Sequence, residues 1–176
     1  MRAIQAGLLA CFLAATNAHA ADTPESVFRD FFDVMVAEGP QKAVPRFTHP
    51  DELARLKKML MPRVRRSFEI DGDTFISKIF GREMPLSEIE ALTPEDFMNH
   101  FMWNTRLDGK AVKRPEIVRS IRRGDEAQLE ILTEVTTLEG KRTQRHDFIA
   151  FKAMGDTWRL MLSPQMEAYV TVLISN

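Results

Sequence analysis

The 176-residue chain carries 24 Lys plus Arg against 25 Asp plus Glu, is 44% hydrophobic and 28% charged, and contains one cysteine. Balanced charge excludes the strong basic excess of a nucleic-acid-binding protein, and the apolar fraction is that of a folding chain rather than a disordered one. Cys11 has no second cysteine to pair with, so an intrachain disulfide is excluded too.

The segment Met1 to Ala20 has Arg2 near its start, an apolar run from Leu8 to Ala15, and small residues at Ala18 and Ala20. That is the layout of a secretory signal peptide cleaved near Ala20, which predicts a periplasmic or secreted protein. The run falls short of the roughly 20 residues that a membrane span needs, so no transmembrane segment is expected in the mature chain. Leu8-Leu9-Ala10-Cys11 loosely resembles a lipobox, which leaves lipidation at Cys11 as an alternative. Cleavage at Ala20 removes Arg2 and Cys11, leaving 23 basic against 25 acidic side chains and no thiol chemistry. Residues 21–176 are expected to form a single domain, because a chain of about 150 residues buries roughly two thirds of its unfolded surface.

Three segments share a helix-start form: Thr23-Pro24-Glu25, Thr93-Pro94-Glu95 and Ser163-Pro164-Gln165. Each places a hydroxyl at the N-cap and proline where its missing N–H costs nothing. After Pro24, the residues Val27, Phe28, Phe31, Phe32, Met35 and Val36 recur at helical spacing until Gly39-Pro40, with Asp30, Asp33 and Glu38 facing away. A short segment, Gln41 to Phe47, precedes His49-Pro50-Asp51-Glu52 and a helical run through Leu53, Leu56, Met59 and Leu60. Pro62 is expected to kink or break that run. Asp71-Gly72-Asp73 reads as a turn; Phe75, Ile76, Ile79 and Phe80 suggest a short helix; and Ser87-Glu88-Ile89-Glu90 has the form of a capping box. A longer helix is expected from Pro94 to about Leu107, with Phe97, Met98, Phe101 and Met102 on one side and Asp108-Gly109 at its end.

Beyond Lys110 the hydrophobic period changes from 3.6 to 2. Ile117 to Arg122 is a first strand; Ala127, Leu129, Ile131, Thr133 and Val135 then alternate with polar residues; Arg142 to Ala153 and Trp158 to Leu162 follow. The turns Gly124-Asp125, Glu139-Gly140-Lys141 and Gly155-Asp156 leave no room for crossover helices. The fold class is therefore α+β, with helices first and then an antiparallel meander of four or more strands, one face of which the helices cover. The segment after Pro164 reads as a terminal helix.

This order of elements, with Gly124-Asp125-Glu126-Ala127 turning into one strand and Gly155-Asp156-Thr157-Trp158-Arg159-Leu160 opening the last, resembles the nuclear-transport-factor-2-like superfamily, which includes ketosteroid isomerases and polyketide cyclases. The resemblance covers most of residues 24–163. It implies a curved sheet wrapped around a long N-terminal helix, a cystatin-like cone with an apolar pocket. Extra helical material between about Leu53 and Leu107 and the segment after Pro164 depart from that pattern. The superfamily hosts enzymes, carriers and structural modules alike, so the resemblance supplies no function. Isomerase-type members use a buried carboxylate base and a tyrosine donor. Here the only tyrosine is Tyr169, in the last segment, and no strand aspartate stands alone in an apolar run.

Met98, His100 and Met102 suggest soft copper ligation. On a helix His100 lies about 200° from Met98, so the three cannot hold one ion, and core methionines beside a surface histidine are the plainer account. His146-Asp147 is the only His next to a carboxylate. Adjacent strand residues point to opposite faces, so the two cannot pair; His146 with a partner from the neighbouring strand is the remaining candidate base. Lys57, Lys58, Arg63, Arg65 and Arg66 form the one concentration of charge, either an anion-facing surface or a solvated helix face balanced by Asp51 and Glu52. No phosphate loop, metal-spaced histidines or nucleophile elbow occurs, so neither a metal nor a cofactor is expected.

These residues point to a non-catalytic exported protein that binds a small apolar molecule or a protein partner. Phe31, Met35, Phe101, Trp103 and His146 are the expected ligand-binding residues, and Trp158 a core anchor. Leu132 interrupts the polar side of its strand and suggests a homodimer through the outer sheet face. A lyase or isomerase with His146 or a strand carboxylate as base, and an envelope interaction or immunity-type module, are the alternatives.

Overall fold

The computed structural model describes residues 22–70, 73–101, 114–136, 140–163 and 167. The fold is α+β, with helices preceding the sheet in chain order. The helices are α1 (Pro24–Glu38), α2 (Pro40–Phe47), α3 (Pro50–Ile70), α4 (Asp73–Phe80), α5 (Leu86–Ala91) and α6 (Pro94–Phe101), and the strands are β1 (Glu116–Arg123), β2 (Glu126–Thr136), β3 (Arg142–Met154) and β4 (Thr157–Leu160). Among the described residues no helix is long and apolar enough to cross a membrane.

Local chemistry accounts for most element boundaries. The Thr23 hydroxyl accepts from the Ser26 N–H at 3.1 Å, and the Ser26 hydroxyl accepts from the Thr23 N–H at 2.9 Å, a reciprocal cap on α1. Gly39 ends α1 at φ 89°, a conformation only glycine adopts without strain, and Pro40 then opens α2. Thr93 caps α6, accepting from the Asp96 N–H at 3.1 Å.

Two expectations are corrected. Pro62 does not end α3, which runs unbroken from Pro50 to Ile70. Pro62 is exposed, so the Lys58 carbonyl that it leaves without a helical donor sits on the solvent side, while Leu56, Leu60, Met61 and Val64 are packed beneath it. Ser87 does not cap α5 either: the N-cap is Pro85, with no side-chain hydrogen bond, and Ser87 lies inside the helix. The Asp71-Gly72 turn, the end of the helix toward Leu107, Glu139 and the segment Pro164–Gln165 lie outside the described residues.

The four strands form one open antiparallel sheet in the order β1-β2-β3-β4. Gly124 (φ 63°) and Gly155 (φ 62°) each open a two-residue hairpin loop whose second residue, an aspartate, keeps negative φ. That is the type II′ pattern, whose twist matches the strands it joins. A bulge between Ile117 and Arg119 interrupts the outer edge strand, and bulges discourage edge pairing with another chain.

The apolar interior divides in two. Val27, Phe28 and Phe47 from α1 and α2 pack on Ala127, Leu129, Ile131, Phe151 and Leu160 of the sheet. The second core is mainly helical: Leu53, Leu56, Leu60 and Val64 of α3 meet Ile76, Phe80, Ile89, Phe97 and Met98, with Phe80 and Phe97 edge to face at 5.3 Å. So α1 is the principal helix on the sheet, and α3 to α6 form a body of their own joined to it through α2. The join is hydrogen-bonded: His49 N–H donates to the Leu160 carbonyl at 2.8 Å, and Thr48 bridges Leu160 in parallel.

Candidate functional site

Register decides which side chains share a face. Ala127 faces Phe151, Leu129 faces Ile149 and Ile131 faces Asp147, so these lie on the inner face under α1. The alternate set, Gln128, Glu130 and Leu132 on β2 with His146, Phe148 and Ala150 on β3, makes the outer face.

The expected ligand-binding residues do not converge. Phe31 packs edge-on against Phe47 at 5.9 Å beside the sheet core, and Met35 is half-buried further along α1. Phe101 is buried in the helical core, and Trp103 lies outside the described residues. His146 stands on the outer face, 56% exposed. Its Nδ1 is 2.7 Å from Oε1 of Glu130, a carboxylate from the neighbouring strand; the carboxylate accepts, which places the proton on Nδ1. Asp147 points the other way and pairs with Arg145 at 2.9 Å. Adjacent residues thus diverge, and the histidine finds its acid across the strand pair.

His100 is half-buried with its ring 6.4 Å from Phe80, and Met98 is buried in the helical core. No cluster of three metal-ligating side chains occurs among the described residues. The basic cluster on α3 is partly engaged in structure: Lys57 Nζ donates to the Glu90 and Leu92 carbonyls at 2.8 and 2.5 Å, and Arg65 binds Glu90 at 2.8 Å. The counter-charge that Arg65 meets is Glu90 on α5 rather than Asp51 or Glu52 at the start of α3. Glu52 instead binds Arg55, which also binds Glu167 at 2.6 Å. Those two hydrogen bonds, with Glu167 first, hold the Arg55 guanidinium above its ordinary range, and the same contact holds the Glu167 carboxyl below its own.

A buried histidine that the sequence does not single out sits at the junction of the two cores. His49 Nδ1 accepts from the Asp51 N–H at 3.2 Å, so the ring nitrogen is an acceptor there and the 3.7 Å approach of the Asp51 carboxylate is not an ion pair. His49 is a joint in the fold, tying the start of α3 to β4.

On the inner face, the polar feature is Glu25. Burial raises its pKa, but hydrogen bonds from Ser120, its own backbone, Thr23 and Arg122 outweigh that and bring it down to about 2. Arg122 reaches Glu25 at 2.9 Å and lies 5.8 Å over the Trp158 ring, so the three clamp the first turn of α1 to the sheet.

One concavity among the described residues lies on the outer face. A groove of about 460 Å³ runs over Ile121, Gln128 and Ala150, with Met161 beside them, Ala127 and Phe151 beneath, and Arg123, Glu126 and Lys152 at one end. Phe148, next along the outer face of β3, is 54% exposed. The apolar floor and charged end arise from residues on all four strand regions. No single segment of sequence signals them; the only hint is the arginine pair that ends β1 and the lysine near the end of β3. The chain matches no family model, no curated protein and no solved structure.

Proposed function

We propose that this is an exported, non-catalytic binding protein that holds a small apolar molecule or a protein partner on the outer face of its sheet. The groove over Ile121, Ala150 and Met161 carries this reading, because a concavity of about 460 Å³ has the size of a small-molecule site. The surroundings support it. Among the described residues, both interiors are lined by buried side chains of their own elements, whereas Phe148 and Ala150 on the outer face lie open. Export through a leader over residues 1–20 is part of the proposal and rests on the layout of that segment. So is membership of the nuclear-transport-factor-2-like superfamily, supported by the order of helices and meander; the apolar pocket of the cone is moved here to the outer face.

Native mass spectrometry of the protein purified from its own periplasm tests this reading. The expected result is a mature chain lacking residues 1–20 that retains a small molecule, and loses it when Ala150→Trp fills the groove. A doubled mass would make the outer face an interface between copies, and a bare monomer would sink the small-molecule reading.

One observation favours a second reading, an isomerase or lyase. The His146–Glu130 pair is 2.7 Å apart on the same face and has the geometry of a histidine oriented by a carboxylate. If it acts as a base, His146→Gln abolishes turnover without changing the retained molecule.

A further inference from the structure

We propose that the ligand of the outer-face groove is a small amphipathic anion, an apolar chain ending in a carboxylate, whose charge is held between Arg123 and Lys152. This deepens the binding reading above and rests on it. The argument comes from the register at the end of the sheet. Arg123 faces Glu126, Glu126 faces Lys152, and Lys152 faces Arg159, so one cross-strand row reads plus, minus, plus, plus. Neighbouring strands lie about 4.8 Å apart, and like charges directly opposite one another destabilise a sheet. One carboxylate among three cations leaves the row short of negative charge.

Arg159 is committed elsewhere, donating to the Arg46 carbonyl. The side chains of Arg123, Glu126 and Lys152 have no hydrogen-bond or ion-pair partner among the described residues. The next row along the groove is Ile121, Gln128 and Ala150, with Met161 N–H bonded to the Ala150 carbonyl at 2.8 Å. Phe148 follows one further row on, in a row shared with Arg119 and Glu130, each row being about 7 Å from the last. A net positive end that opens onto Ile121, Ala150 and Met161 matches a molecule with one anionic head and a short tail. A cation would meet two like charges against the one carboxylate of Glu126, and a neutral alkyl chain would leave the surplus positive charge unmatched.

Decanoate, decanol and decyltrimethylammonium, titrated calorimetrically into the full mature chain at low ionic strength, test this. Decanoate is expected to bind at one saturable site, about tenfold tighter than decanol. Added salt should weaken decanoate but not decanol. Arg123→Gln with Lys152→Gln should bring decanoate down to the affinity of decanol, with the melting temperature kept, since both side chains project from the outer face. Ala150→Trp should remove both. Decanol binding as tightly as decanoate, or the double variant binding decanoate unchanged, would overturn the anionic assignment and leave the groove as an apolar site. Binding of both ligands that survives Ala150→Trp, or no binding of either, would overturn the groove itself.

Discussion

On β2, Ala127, Leu129 and Ile131 turn into the core beneath α1, while Gln128, Glu130 and Leu132 stand on the opposite face. The same alternation on β3 puts Phe151 at 1% exposure and Phe148 at 54%. Both phenylalanines sit in one strand with the same backbone, so the difference is supplied wholly by what lies across from them. The inner face has a helix whose stripe matches it and a Glu25–Arg122–Trp158 clamp that fixes the helix start. The outer face has a row of three cations and one carboxylate beside an open floor. A sheet that spends its inner face on stability is free to use the outer one for recognition, and each face can be perturbed separately.

The largest separation is expected between Phe151→Ala and Phe148→Ala. Removing the buried ring leaves a cavity against Leu129 and Leu160 and should cost about 3–5 kcal/mol in urea unfolding. Removing the exposed ring should change stability by less than about 0.5 kcal/mol. Equal costs would mean that the outer face is also a packed layer.

Acid tests the inner clamp next. Glu25 has a folded pKa of about 2 against an ordinary 4.5. A depressed carboxyl contributes stability that is complete above the unfolded pKa and is lost as pH falls from about 4.5 through about 2. Discounted for solvent screening at this surface site, the contribution is on the order of 1–2 kcal/mol, and Glu25→Gln should remove it at neutral pH and flatten the melting-temperature profile across that window. A profile unchanged by the substitution would show that α1 is held by its apolar stripe alone.

How much of this asymmetry the chain announces depends on range. Period-two spacing is local, so the grouping of Ala127, Leu129 and Ile131 is legible, as are the two Gly-Asp turns and the Thr23 and Thr93 caps. What is not legible is what each stripe packs against. Phe31 and Phe101 lie on equally convincing helical stripes, yet one reaches the sheet core and the other the helical core. Arg123, Lys152 and Arg159 likewise become neighbours only through strand register. His146 could be assigned a partner on the next strand from the pleat, but its identity as Glu130 needed the diagonal offset. Pro62 misleads for a different reason: a helix pinned by four buried residues offsets a lost hydrogen bond at an exposed position.

A smaller effect is expected at the entry to α1. Thr23→Ala removes the one hydroxyl that both accepts from the Ser26 N–H and hydrogen-bonds Glu25. Loss of such a cap typically costs about 1 kcal/mol. If the helix start and the clamp act as one unit, Thr23→Ala combined with Glu25→Gln will cost less than the sum of the single changes, because each removes part of the same network.

The smallest expected effect is the most informative about the outer face. His146→Ala breaks the 2.7 Å contact with Glu130, but that pair is exposed on the histidine side, and surface pairs contribute about 0–1 kcal/mol. Chemical denaturation should therefore place the variant within about 0.5 kcal/mol of the parent. The histidine sits beside Phe148 rather than at the Arg123–Lys152 end, so decanoate affinity should change less than with Arg123→Gln. A large loss of decanoate binding in His146→Ala, with stability intact, would move the anionic head from the charged row to the His146 side of the outer face, beyond the groove, while leaving the inner face untouched.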